Sequence, residues 1–165
     1  MKQLILKLTD RFIQVQDEDK AKAMSAYMKN KYDFYGVMAA PRRIEVLAWY
    51  NENKKEIKSN IREIVIALWN MNNRDYQYAA MDIMAKNVAV FSISDIPFIK
   101  QLIIDKSWWD TVDWLSSTLL GKVLAMDKKT QYRICEQWIS SDNIWLRRSV
   151  IIHQLKYKNK VLIIT

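Results

Sequence analysis

The residues best equipped for chemistry lie in Ser107-Trp108-Trp109-Asp110-Thr111-Val112-Asp113, where two adjacent tryptophans precede two carboxylates. Trp109 and Asp113 are four apart, so on a helix they stack on one face and set an indole beside a carboxylate. Structure alone does not require an indole and a carboxylate together on a polar face, so this is where chemistry is expected. Arg148 is the matching cation: its helical neighbours Ile144, Trp145, Ile151 and Ile152 are all apolar, so its guanidinium needs an acid or a phosphate. A structural ion pair with Asp113 is one reading and a phosphate contact is another. The two are compatible.

These side chains must be held by helices. Ser107 followed by Asp110 has the capping-box spacing, and Trp108, Val112, Leu115 and Leu119 then recur at helical intervals as a buried stripe. Trp109 falls outside that stripe, on a polar face continued by Ser116 and Ser117. Upstream, Leu4, Leu8, Phe12 and Val15 mark a first helix, and Asp17 opens a second with Ala21, Met24 and Met28 inward and Tyr27 off that side. Gly36 supplies a backbone angle other residues resist. Pro41 opens a third helix bearing Ile44 and Leu47, with Arg42 and Arg43 in its first turn. Positive charge opposes the helix dipole there, so these arginines serve a partner or a nearby acid. Asn53 and Glu56 have capping-box spacing ahead of a single helix through Leu68. Further helices follow Asn72-Asn73, Ser94 and Pro97, and the last is capped by Asp142, giving nine in all.

The 165 residues suit one domain, spanning 1–165, and a hydrophobic content of 50% is ample for a core. With two glycines and two prolines the sequence has little room for the turns of an all-β fold, and it reads as all-α. A formal net charge of +8 fits a polyanionic partner. The single cysteine, Cys135, excludes an internal disulfide framework, and His153, the sole histidine, reads as a surface or rim residue rather than a zinc ligand. No metal, no cofactor and no membrane role is expected, and the cytoplasm is the expected compartment.

Trp108-Trp109-Asp110-Thr111-Val112-Asp113 resembles the signature of the alkylpurine DNA glycosylases of the DNA alkylation repair family, which have HEAT-like helical repeats. Ser141-Asp142-Asn143-Ile144-Trp145-Leu146-Arg147-Arg148, with Gln154-Leu155-Lys156-Tyr157-Lys158, is similar to the family's other well-marked helix. Tyr27-Met28-Lys29-Asn30, Gly36 and Arg42-Arg43 match its N-terminal part. Two departures stand out: Ala40-Pro41-Arg42-Arg43 replaces the family's usual Pro-Glu-Arg-Arg, and family members continue through further helices beyond the Tyr157-Lys158 region.

The resemblance implies a right-handed α-α superhelix of HEAT-like helix pairs, acting as a monomer on double-stranded DNA that carries alkylated purines. It implies excision of purines alkylated at N3 or N7. Such a base is already cationic and leaves as a neutral molecule, so one carboxylate does the work of the usual two. Asp113 would be that catalytic carboxylate. Trp109, Tyr27 and Arg148 would bind the substrate, and Arg43, Arg147 and Lys156 would contact DNA phosphates. A catalytically weak or inactive DNA-binding relative, or a helical-repeat adaptor for a protein, remains open as an alternative.

Overall fold

The computed structural model describes residues 1–157. Every regular element among them is helical, and the chain divides into two compact units, Met1–Lys86 and Asn87 onward. The apolar run Val161–Ile164 lies outside the described residues.

The first unit contains α1 (Lys2–Gln14), α2 (Glu18–Tyr27), α3 (Ala39–Glu52), α4 (Lys54–Ser59), α5 (Ile61–Trp69) and α6 (Arg74–Lys86). Leu4, Leu8 and Phe12 bury the expected stripe of α1, and the Asp17 carboxylate caps α2 by accepting from Lys20 N. On α3 the inward face is Arg42, Val46, Trp49 and Tyr50, leaving the expected Ile44 and Leu47 exposed. An arginine can occupy that inward row because Asp82 of α6 accepts from its Nε at 2.9 Å. Arg42 meets Asp82, and further along both helices Lys86 lies over the Tyr50 ring, so α3 and α6 run parallel.

The helix expected through Leu68 is two helices. Asn53 Nδ2 donates to Trp49 O and Asn60 Nδ2 to Glu56 O, so each asparagine satisfies a carbonyl of the helix before it and lets the chain turn. The loop ahead of α3 is pinned by Asp75, fully buried, whose carboxylate accepts from Tyr35 N and Val37 N. Burial raises its pKa, and the two amide donors oppose that rise. Gly36, at φ +78°, has a second reason to be glycine, because any Cβ would overlap the Asp17 carbonyl oxygen.

The second unit begins with 3₁₀ turns at Val88–Val90 and Ile93–Asp95, then α7 (Ile96–Ile104) and α8 (Trp109–Trp114). Ser92 and Asp95 form the capping box here, ahead of Ser94. After α8 the helix widens to π geometry over Leu115–Leu120 and resumes as α9 (Gly121–Leu124), followed by α10 (Lys128–Ile139) and α11 (Ile144–Ile152). Asn143, rather than Asp142, caps α11, accepting from Trp145 N and Leu146 N. The Ser107 hydroxyl donates to Ile103 O and Ile104 O, closing α7, and Trp108 takes the N-cap position of α8.

Contacts 108 to 145, 113 to 148 and 116 to 149 follow one another, so α8 and its π continuation run parallel to α11. The far end of this packing is tight. A Cβ on Gly121 would overlap the His153 carbonyl oxygen, and Tyr157 Oη donates to Gly121 O at 2.5 Å. His153 is fully buried, contrary to its expected surface place, because the ring finds partners inside: Nδ1 donates to Val150 O at 2.6 Å, while Nε2 accepts from Gln131 Nε2 at 2.9 Å. This tautomer satisfies both nitrogens in the neutral state.

Burial lowers the His153 pKa below 6.5, whereas it raises that of the neighbouring Cys135 thiol and pushes Tyr157 up to about 12. Below pH 6.5 the unfolded chain takes up a proton that the folded chain refuses. The stabilisation is therefore complete above that pH and is lost on acidification, by at most about 1.4 kcal/mol per pH unit. Thermal melts between pH 7 and pH 5.5 should show this loss, and His153→Gln should flatten the dependence.

Candidate functional site

The α8 and α11 helices place a carboxylate and a guanidinium in register. Arg148 Nε donates to Asp113 Oδ1 at 2.6 Å and Arg148 Nη2 to Asp113 Oδ2 at 2.7 Å, a bidentate fork. Asp113 raises the Arg148 pKa further above its ordinary value, so the guanidinium stays charged. The side chains remain 43% and 37% exposed, which keeps both within reach of a ligand. Each carboxylate oxygen retains lone-pair capacity for a second donor, such as water.

Trp109, 38% exposed, opens α8 and flanks a cleft of about 660 Å³ whose other walls are Trp145, Arg147, Arg148, Ile144 and Ile151. Trp108, expected in the buried stripe, is half-buried like Trp145, and the two pack on each other with ring centroids 5.8 Å apart. That contact brings the starts of α8 and α11 together. Arg147 Nη1 donates to Ser141 O at 2.5 Å, anchoring the guanidinium near the cleft mouth. Lys156 Nζ donates to Thr118 Oγ1 at 2.6 Å on an exposed surface. Asp113, Trp109, Arg147 and Arg148 are thus gathered at one place, with Lys156 reaching the π continuation of the same helix further along.

Tyr27 and Arg43 belong to the first unit. Tyr27 is 69% exposed at the end of α2, on the rim of an apolar pocket of about 480 Å³ that includes Met24, Met28, Phe34, Met38 and Tyr78. The Arg43 side chain is 70% exposed, with its Nε 3.9 Å from Asp82, while Arg42 takes the close contact with that acid. The two arginines expected to behave alike therefore divide, one internal and one open to a partner.

Ser116, expected on the polar face with Ser117, is buried. Its Oγ lies 2.6 Å from Val112 O and 2.8 Å from Ser149 Oγ of α11, and Ser117 Oγ donates to Asp113 O at 2.7 Å. Adjacent serines in an otherwise apolar helical run are the sequence signal for this widened turn, since hydroxyls there can take backbone carbonyls. Among the described residues, no group of three or more His, Cys, Asp or Glu side chains could hold a metal, and no helix is long and apolar enough to cross a membrane.

The chain and its all-helical fold have known counterparts. The model of the DNA alkylation repair enzyme family matches residues 8–164, and the chain belongs to that family. Among solved structures it is similar to one described as a predicted DNA alkylation repair enzyme from Enterococcus faecalis, with a TM-score of 0.78 and 28% identity. That likeness covers 89% of this chain and 68% of the other. No curated protein matches the sequence.

The Asp113–Arg148 fork is too exposed to matter much to folding. A double-mutant cycle of Asp113→Asn and Arg148→Ala, followed by urea unfolding, should give a coupling of about 1 kcal/mol or less. A coupling several times larger would make the pair a structural one.

Proposed function

We propose that the chain is a DNA N-glycosylase that releases cationic N3- or N7-alkylpurines from duplex DNA. The observation that carries this reading is the bidentate Asp113–Arg148 fork beside the exposed Trp109 face. Membership of a DNA alkylation repair family and the sequence's net charge of +8 support it.

The alkylated base carries its own positive charge. Its bond to C1′ breaks with the electron pair going to the base, which departs neutral and needs no general acid. Positive charge then develops on the deoxyribose. Asp113 stabilises that charge and orients a water, whose oxygen adds to C1′ as a proton is lost. Trp109 presents an aromatic face to the cationic lesion or its sugar, an attraction of ~0.5–2 kcal/mol, and Tyr27 serves in the same way. Arg148 plays two parts, holding the carboxylate in the free protein and meeting a phosphate in the complex. Arg147, Lys156 and Arg43 contact phosphates, fixing position without reading sequence. The protein acts as a monomer in the cytoplasm, without a metal or other cofactor.

Asp113→Asn preserves shape but removes the charge, so it should lower base release from alkylated duplex DNA by at least ~100-fold, comparable to losing a transition-state electrostatic contact. DNA affinity should hold or tighten, since a carboxylate among phosphates is repulsive. Base release at the wild-type rate by a folded variant would remove Asp113 from catalysis. Binding by the wild type without any release would instead favour a DNA-binding relative that has lost the chemistry. Salt-independent or absent DNA binding would favour an adaptor.

Affinity for undamaged duplex DNA should fall steeply with salt and depend little on sequence. Arg147→Ala and Lys156→Ala should each reduce the slope of log K against log salt by about 1. Unchanged slopes in both variants would place these residues away from the DNA.

A further inference from the structure

The ion pair at the cleft is half-exposed and so weak an anchor that something else must hold its two helices in register. The widened turn supplies it. About one helical turn beyond Asp113, Ser116 Oγ meets Ser149 Oγ at 2.8 Å, and Ser149 directly follows Arg148. Both hydroxyls belong to fully buried residues. In that low-dielectric setting a hydrogen bond resists slippage far better than a solvated one. Ser117 Oγ meanwhile holds the Asp113 carbonyl at 2.7 Å, fixing the backbone that carries the carboxylate.

The hydroxyl pair also has a peculiar proton count. Ser116 Oγ lies 2.6 Å from Val112 O and Ser149 Oγ lies 2.8 Å from Trp145 O, so with the contact between the hydroxyls there are three short oxygen pairs. Two hydroxyl protons serve all three. Removing one hydroxyl leaves the other free to donate wholly to its own carbonyl, so no buried donor is stranded and the stability cost is small. What disappears is the link between helices.

We propose that Ser116 and Ser149 are positioning residues for Asp113 and Arg148: their hydroxyl contact sets the rotation and register that make the fork bidentate. The proposal rests on the glycosylase reading for its kinetic consequence but not for its geometric one.

The test uses the full chain with Ser116→Ala, Ser149→Ala and the double substitution. Three properties are measured: melting temperature, DNA affinity with single-turnover base release, and solvent exchange of the Arg148 Nε–H by nitrogen-15 NMR. The expected result is a small change in melting temperature and DNA affinity within about twofold of wild type. Base release should slow by ~10- to 100-fold, as for a catalytic group displaced by up to an ångström. The Arg148 Nε–H signal should exchange visibly faster. The double variant should resemble either single one, since both break the same link.

Unchanged Arg148 Nε–H exchange in both folded single variants overturns the proposal, as does base release at the wild-type rate. A wild type that releases no base sinks the glycosylase reading alone, and the exchange measurement still decides the positioning role. Should one single variant fail to fold, the other decides, because the contact needs both hydroxyls.

Discussion

Burial at strict intervals of four residues is the constraint on which the second unit depends. Thr111 with Val112, Leu115 with Ser116, Leu119 with Leu120 and Val123 with Leu124 are the buried pairs along this helix. An α-helix turns once in 3.6 residues, so each step of four overshoots by about 40° and the buried stripe would wind away from its neighbour. The π geometry of Leu115–Leu120 takes up that excess and keeps the stripe facing inward. Widening alters the backbone's own hydrogen bonding, and the hydroxyls of Ser116 and Ser117 take carbonyls at the start of the turn. Parallel packing on α11, the Asp113–Arg148 fork and the approach of Gly121 to His153 all follow from that straightened stripe.

The first unit solves a different problem with charge. Arg42 stands in an inward row of α3, compensated by Asp82 and lying 4.9 Å from the centroid of the Tyr78 ring. Asp75 is buried to collect the amides of the loop between α2 and α3. Near it, Tyr76 Oη joins Thr9 Oγ1 at 2.7 Å and Tyr35 Oη at 3.1 Å, tying α6 to α1 and to the same loop. Burial raises the Tyr76 pKa well above its ordinary value, so the phenol remains protonated and able to donate. A loop held by side chains in this way leaves the exposed Tyr27 and Arg43 on firmly placed helices.

Helix existence was legible because apolar spacing reports which face is buried, as for Leu4, Leu8 and Phe12. Helix ends were less so. Ser107, Asn53 and Asp142 all had capping residue types, yet Ser107 and Asn53 serve the helix before them and Asn143 outcompetes Asp142. Sequence spacing cannot tell which of two adjacent helices a side chain will satisfy. The Trp109–Asp113 face and the Arg148 partner were readable, since an isolated cation among apolar neighbours demands compensation. Ile44 and Arg42 exchanged their expected places because Asp82, an acid far along the chain on another helix, makes an inward arginine tolerable. His153 was misplaced for the same reason: its buried partners Gln131 and Val150 come together only through tertiary packing.

The chain's one cysteine sits in that same interior, with Sγ 3.9 Å from the ring of its one histidine. Burial keeps the thiol protonated and covered, so a thiol-directed reagent can modify it only in molecules whose packing around α10 and α11 has momentarily come apart. The rate of that modification therefore clocks the opening of the protein interior next to the helix that bears Arg148. The molecule carries its own reporter of local breathing, at a single native position and without any engineered residue.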